Sequence, residues 1–120
     1  MPKVLIVDDS RFQRSRVKQA LAPCGWDLVE AGDGEEGVEA VERERPDLIV
    51  TDLLMPKKTG LEMLATLRER GCSTPVVVLT ADIQNTSRDA CLAHGVKAFL
   101  NKPFSGEDLL QVLAAELDAA

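Results

Sequence analysis

The sequence predicts an α/β domain in which five strands alternate with five helices around one parallel sheet. Its 120 residues suit a single domain with one core, so residues 1–120 are treated as one unit. Five short apolar runs recur at intervals too long for hairpins, and the stretches between them carry apolar residues at helical spacing. Alternation of this kind is typical of crossover helices joining parallel strands.

The apolar runs define the strands. Those around residues 5–7, 48–50 and 76–79 are almost entirely apolar, as expected when helices cover both faces of a parallel sheet. The fold class is therefore a three-layer (βα)5 arrangement. The predicted strands are Lys3–Val7, Trp26–Glu30, Asp47–Thr51, Pro75–Leu79 and Lys97–Leu100.

Helix boundaries follow from capping residues. Thr59 and Glu62 form a capping box, in which both side chains bond backbone N–H groups that the first helical turn leaves free. A helix should begin just after Thr59. Similar starts are predicted at Asp33 and Ser105, helix ends are predicted at Gly25, Gly71 and Gly95, and a final helix is indicated by Leu109, Leu110, Leu113 and Leu117.

Composition excludes several classes of function. The net charge of -6 would repel a phosphate backbone, and no cluster of Lys and Arg is interleaved with aromatics, so we expect no nucleic-acid binding. No segment approaches the roughly 20 apolar residues of a membrane span, and the N-terminus lacks the pattern of a signal peptide. The three cysteines have no paired spacing, which favours reduced thiols and a cytoplasmic location.

Polar side chains follow four of the predicted strands. Asp8 and Asp9 come after the first strand, Asp52 after the third, Thr80 after the fourth and Lys102 shortly after the fifth. The carboxyl ends of parallel strands share one edge of the sheet, where open α/β folds bind ligands. We therefore expect three carboxylates, a hydroxyl and an ammonium group to converge there.

Three converging carboxylates repel one another unless a cation is present. Oxygen ligands favour a hard ion, so Mg2+ is the expected cofactor, with Mn2+ able to replace it. A carboxylate can attack phosphorus to form an acyl phosphate if a metal and a lysine neutralise the phosphoryl oxygens. These residue types do not reveal which carboxylate is the nucleophile, and Asp9 or Ser10 could instead cap the first helix.

Four segments together resemble the CheY-like receiver domains of two-component response regulators. They are VLIVDDS at residues 4–10, TDLLMPKKTG at 51–60, VLTA at 78–81 and FLNKPF at 99–104. The resemblance spans the whole chain. It implies the flavodoxin-like fold, with a five-stranded parallel sheet in the order 2-1-3-4-5.

The resemblance also implies a division of roles at the site. Asp52 corresponds to the residue that accepts a phosphoryl group from the phosphohistidine of a histidine kinase. Asp8 and Asp9 correspond to metal ligands, together with Asp52 and the backbone carbonyl of Leu54. Such a domain is a signalling switch that catalyses only its own phosphorylation and dephosphorylation.

Further residues are implied to transmit the signal. Thr80 and Lys102 would contact the phosphoryl group, and the bond between Lys102 and Pro103 would be cis. Thr80 would swing inward on phosphorylation and Phe99 would rotate from outside to inside. The face built from the fourth helix, fifth strand and fifth helix would then change and bind a downstream protein.

Partners and lifetime are expectations of the same kind. The chain is expected to be stand-alone, and to be a monomer or a weak phosphorylation-dependent dimer. Leu54 and Asp82 lie two residues beyond Asp52 and Thr80, where family members influence attack of water on the acyl phosphate. Because an apolar Leu54 cannot orient that water, slow self-hydrolysis is predicted, and residues 80–84 resemble receivers served by CheC-like or CheX-like phosphatases.

Three alternatives fit the same fold class. A flavodoxin-type FMN protein would need a Ser/Thr-rich phosphate loop after the first strand, where this chain has Asp8 and Asp9. A haloacid-dehalogenase-like phosphatase would place its acids in a D-x-D pattern, but these are adjacent. A receiver with a dead site would lack part of the set of five polar residues, which is complete here.

Overall fold

A parallel sheet of five strands forms the centre of the molecule. The computed structural model describes residues 1–53, 59–81 and 88–119. The strands lie in the order β2-β1-β3-β4-β5, which confirms the predicted topology. They are β1 (Lys3–Val7), β2 (Asp27–Ala31), β3 (Leu48–Thr51), β4 (Val76–Thr80) and β5 (Val96–Asn101).

The strand ends differ from the prediction by one residue at several positions. The sequence placed Trp26, Asp47 and Pro75 in strands, whereas β2, β3 and β4 each begin one residue later. Pairing sets the opposite ends, because Ala31 pairs with Val7 and Thr80 pairs with Asn101. The pattern of apolar residues did not predict that Ala31 and Asn101 belong to strands. A strand continues for as long as its neighbour offers backbone hydrogen bonds.

In the described part of the chain, four helices connect successive strands, and a fifth follows the last strand. They are α1 (Arg11–Leu21), α2 (Gly34–Glu44), α3 (Gly60–Glu69), α4 (Arg88–Ala93) and α5 (Gly106–Ala119), with a 3-10 turn at Ala22–Cys24 that the sequence did not predict. In the described residues, no helix is both long enough and apolar enough to cross a bilayer.

Side-chain caps begin the helices as predicted. The Thr59 hydroxyl accepts from the Glu62 N–H at 3.1 Å, and the Glu62 carboxylate accepts from the Thr59 N–H at 3.0 Å. At α1 the cap is Ser10 and not Asp9, because the Ser10 hydroxyl accepts from the Gln13 N–H at 3.2 Å. The predicted starts at Asp33 and Ser105 have equivalent bonds from the N–H groups of Glu36 and Asp108.

Left-handed residues follow the helices. Gly25, Gly71 and Gly95 have φ values of 69°, 80° and 81°, as expected for glycines that end helical segments. Arg45 ends α2 with a φ of 48°, and no glycine marked that end in the sequence.

The core lies on both faces of the sheet. One cluster joins the sheet to α2, α3 and α4 and includes Leu5, Ile49, Met63 and Cys91. The other joins it to α1 and α5 and includes Ile6, Val50, Leu21, Leu109 and Leu113. This arrangement confirms the predicted three layers.

Candidate functional site

The carboxyl ends of β1, β3, β4 and β5 meet at one edge of the sheet. In the ladder, Val7 pairs with Thr51, and Thr51 pairs with Val78. The Asp52 N–H donates to the Val7 carbonyl at 3.1 Å, and the Lys102 N–H donates to the Thr80 carbonyl at 2.8 Å. Backbone pairing therefore brings polar side chains from distant stretches of the chain to neighbouring positions.

A lysine bridges two carboxylates at the centre of this edge. Lys102 Nζ donates to Asp8 Oδ2 at 3.1 Å and to Asp52 Oδ2 at 2.9 Å. The three side chains retain only 16%, 7% and 17% of their exposure, respectively. Two like charges can lie this close with little water because the ammonium group compensates them.

The neighbours of Asp8 and Lys102 shift their proton affinities. Burial raises the pKa of Asp8, and the charge of Asp52 adds to this effect despite hydrogen bonds from Ser10 and Lys102. Burial alone would lower the pKa of Lys102, but hydrogen bonds and charge from Asp52 and Asp8 outweigh it and hold that pKa above its usual value. The lysine is therefore a fixed positive charge at neutral pH.

The orientation of Asp52 is set by its own stretch of chain. Its Oδ1 accepts from the Leu53 N–H at 2.6 Å, and its backbone carbonyl accepts from the Thr51 hydroxyl at 2.8 Å. Helix α3 begins directly against this backbone: a Cβ on Gly60 would lie 2.9 Å from the Leu53 Cα and closer still to the Asp52 carbonyl oxygen. The carboxylate is thus oriented by hydrogen bonds and packing within its own turn.

Asp8 is held through every polar group of its residue. Its N–H donates to the Ala31 carbonyl at 3.1 Å, and its Oδ1 accepts from the Ser10 N–H at 2.9 Å. Its carbonyl accepts from Arg14 Nη1 at 2.6 Å, and its Oδ2 accepts from Lys102. The loop between β1 and α1 therefore presents this carboxylate in one orientation.

The other predicted metal ligands are placed differently. Asp9 is exposed, and Leu54 lies outside the described residues, as does Asp82. Within residues 1–53, 59–81 and 88–119, no group of three His, Cys, Asp or Glu side chains could hold a metal ion. The described centre is a carboxylate pair, and a metal role for Asp9 or Leu54 stays a prediction.

This pair of carboxylates fits a magnesium ion. Mg2+ in proteins takes one or two carboxylates and completes its shell with water and phosphate oxygens. Asp8 and Asp52 supply hard oxygen donors at a mostly buried edge, and the single positive charge of Lys102 offsets only one of their two negative charges. The donor set therefore suits a hard divalent cation.

Thr80 lies on β4, the strand beside Asp52, and Phe99 lies on β5, one strand further along the sheet. Thr80 is the last residue of β4 and is 6% exposed, and Phe99 of β5 pairs with Val78 of β4. Phe99 is partly buried against the core cluster on the side of α2, α3 and α4. The bond between Lys102 and Pro103 is cis, as the family resemblance implied.

Sequence reasoning did not single out three residues that shape the site. Arg14 and Thr51 bond backbone carbonyls of the two acids, and Gly60 allows the close approach of α3. Thr51 and Gly60 lie within the segment 51–60 that carries the family resemblance, but no role had been given to either residue. A hydrogen bond from a side chain to a main-chain carbonyl leaves no periodic pattern in a sequence.

Comparison with known proteins decides the family. A family model described as the response regulator receiver domain matches residues 4–114. The chain belongs to the response regulator receiver domain family. Among curated relatives, the response regulator MprA of Mycobacterium leprae is 40% identical over 115 residues, which are 96% of this receiver domain and 50% of MprA. The chain thus spans about half the length of the curated relatives it matches.

Solved structures agree with this assignment. Chemotaxis protein CheY4 of Vibrio cholerae is 34% identical with a TM-score of 0.88, over 96% of this receiver domain and 98% of CheY4. The receiver domain of Francisella response regulator 1452 is 30% identical with a TM-score of 0.88, over 99% of this chain and 98% of that one. The flavodoxin-like fold implied by the sequence is confirmed.

Proposed function

We propose that this receiver domain is a phosphoryl-accepting switch, in which Asp52 takes a phosphoryl group from the phosphohistidine of a histidine kinase. The observation that carries the proposal is the lysine bridge: Lys102 Nζ lies 2.9 Å from Asp52 Oδ2 and 3.1 Å from Asp8 Oδ2. This bridge brings two carboxylates and a positive charge together at one edge of the sheet, which supports the proposal that one of the acids is a nucleophile. That combination suits transfer of an anionic group.

In the proposed reaction, a carboxylate oxygen of Asp52 attacks phosphorus. A P–O bond forms, the P–N bond to the donor histidine breaks, and its electron pair returns to the imidazole ring. The Leu53 N–H fixes Oδ1 and so orients the carboxylate before the donor arrives. The Lys102 ammonium group, which donates to Asp52 Oδ2 before the reaction, would donate to a phosphoryl oxygen after transfer.

Asp8 and Asp52 are the residues that would hold Mg2+ or Mn2+, joined by Asp9 and the Leu54 carbonyl. When bound, the ion neutralises charge that develops on the phosphoryl oxygens. The residues of the site contribute orientation: Ser10 and Leu53 N–H groups each fix one carboxylate oxygen. The Oδ2 atoms of both acids accept from Lys102 Nζ, so the two carboxylates point toward the same position.

Thr80 and Phe99 would pass the change to the surface. The buried residue Thr80 ends the strand beside Asp52, and Phe99 lies partly buried one strand further on. Movement of Thr80 toward the phosphoryl oxygens would free space for Phe99, and the face of α4, β5 and α5 would then bind a downstream protein or a CheC-like or CheX-like phosphatase. We propose that this output works by protein contact in the cytoplasm, and that the receiver domain is monomeric or dimerises weakly when phosphorylated.

An exposed aromatic side chain, Phe12, beside the site suits contact with the kinase. Phe12 is 68% exposed on α1, just after the Asp8 loop. The Arg16 guanidinium lies 6.0 Å from its ring centroid and 5.6 Å from that of Phe104, which follows Lys102 by two residues. A protein that delivers a phosphoryl group to Asp52 would meet this surface. Phe12→Ser should slow transfer from a histidine kinase and leave transfer from acetyl phosphate unchanged.

The proposal is tested by incubation with acetyl phosphate, with and without Mg2+, followed by mass spectrometry of the intact protein. We expect one acid-stable, base-labile phosphoryl adduct that requires Mg2+ and is absent from Asp52→Asn. An adduct that persists in Asp52→Asn would refute the assignment of the acceptor. Absence of any adduct would favour an inactive receiver, and rapid turnover of a phosphate monoester would favour a phosphatase.

A further inference from the structure

The side chain of Arg14 connects the site to the neighbouring strand. Arg14 lies in the first turn of α1, and its Nη1 donates to the Asp8 carbonyl at 2.6 Å. Its Nε donates to Glu30 Oε1, on β2, at 3.0 Å. One guanidinium group therefore ties the β1–α1 loop to a strand on which no residue of the site lies.

The side chain of Arg14 is held in place by Glu30. Glu30 is itself fixed from a second direction, because Lys18 Nζ donates to Glu30 Oε2 at 3.0 Å. The Arg14 side chain is only 16% exposed, so the contact is not a loose surface pair. A planar guanidinium with donors in a fixed fork suits two acceptors held at a set separation.

The contact acts on the backbone of Asp8 and not on its carboxylate. The two carboxylate oxygens of Asp8 bond Ser10 N–H and Lys102 Nζ, while Arg14 takes the main-chain carbonyl. Loss of Arg14 would therefore leave the charge balance of the acids in place and release the main chain that aims one of them. Partners that orient a metal-binding residue typically change metal affinity by 10–100-fold when they are removed.

We infer, on the basis of the proposed function, that Arg14 is a positioning residue for the cation and phosphoryl site. Glu30 holds Arg14, Arg14 fixes the Asp8 carbonyl, and the Asp8 carboxylate is thereby kept beside Asp52. The effect on the cation is transmitted through main-chain position. It does not require Arg14 to touch the cation or the phosphoryl group.

The surroundings allow the residue to be changed without unfolding the protein. Arg14 lines an open cleft of about 350 Å3 together with Arg11, Glu30, Gly32 and Glu36. If a shorter side chain stood at this position, water would fill the vacated volume, and no buried cavity would be left. Lys18 offers a matched control, since it also pairs with Glu30 but bonds no atom of Asp8 in the described structure.

The test measures Mg2+ affinity from amide shifts in an NMR titration of the metal-free protein, for wild type, Arg14→Gln, Arg14→Lys and Lys18→Gln. We expect about tenfold weaker Mg2+ binding for both Arg14 variants, and little change for Lys18→Gln. Arg14→Lys keeps the charge but loses the fixed fork, so it separates position from charge. Faster exchange of the Ser10 amide in Arg14→Gln, without Mg2+, should report the released loop.

Each outcome bears on a different claim. If wild type binds Mg2+ and a folded Arg14→Gln binds it equally well, the inference is wrong while the proposed function stands. Full recovery in Arg14→Lys, or an equal loss in Lys18→Gln, would also overturn it, because charge or general stability would then explain the effect. If wild type itself binds no Mg2+, the proposed function fails first.

Discussion

Gly60→Ala tests how closely the first turn of α3 must approach the phosphoryl acceptor. A Cβ added at Gly60 would lie 2.9 Å from the Leu53 Cα and 3.2 Å from the Asp52 carbonyl carbon, with the carbonyl oxygen nearer still. All three neighbours are backbone atoms, which cannot rotate away as a side chain can. The Asp52 turn and the start of α3 must therefore separate.

The size of the effect follows from that overlap. Overpacking of this kind costs about 1–3 kcal/mol of folding free energy. A misplacement of about 1 Å at a reacting group can cost about 100-fold in rate. We therefore expect Gly60→Ala to be phosphorylated by acetyl phosphate about 100-fold more slowly than wild type, with a moderate loss of stability.

Gly106→Ala is the matched control. Gly106 occupies the same first position of α5, and a Cβ there would meet Ala20 Cβ at an ordinary 3.5 Å. We expect this variant to be neutral or more stable by about 0.4–1 kcal/mol, because alanine reduces the entropy of the unfolded chain. The assay pairs phosphorylation rates with urea unfolding. Wild-type rate and stability in Gly60→Ala would refute the close approach.

Other predictions concern charge and lifetime. Lys102→Met leaves Asp8 and Asp52 facing each other, so we expect a loss of about 1–3 kcal/mol in urea unfolding, smaller when Mg2+ is present. Burial opposes ionisation of Glu30, but its pairs with Lys18 and Arg14 outweigh burial and lower its pKa. Its stabilising contribution should thus be complete above pH 4.5, its ordinary pKa, and vanish as pH falls through the lowered value, so that wild type and Glu30→Gln converge in acid. The phosphoryl group on Asp52 should hydrolyse slowly because Leu54 cannot orient water, and a lifetime of seconds in Mg2+ would contradict this.

Strand and helix identities were predictable because they depend on local pattern. The run of apolar residues from Leu48 to Val50 is fully buried in β3, as expected for a central parallel strand. The capping box of Thr59 and Glu62 has both of its hydrogen bonds. The three glycines that were predicted to end helical segments all have left-handed backbone conformations; they are Gly25, Gly71 and Gly95.

Other features depend on contacts that no local pattern records. Arg45 takes a left-handed conformation because α2 must end before Pro46, and arginine carries no signal for that role. The choice of Ser10 over Asp9 as the cap of α1 was open in sequence and was settled by geometry. The lysine bridge was foreseen only as a convergence of strand ends, since its distances depend on the register of β1, β3 and β5.

The central claim is that a divalent cation binds at the carboxyl edge of the sheet, beside Asp52. Paramagnetic broadening by Mn2+ in NMR spectra of the metal-free protein locates such an ion directly. We predict that the amide signals of Asp8, Asp9, Asp52 and Leu53 broaden first and that excess Mg2+ restores them. Broadening centred instead on the acidic surface of α2 or on the end of α5, with the Asp52 region unaffected, would contradict the account.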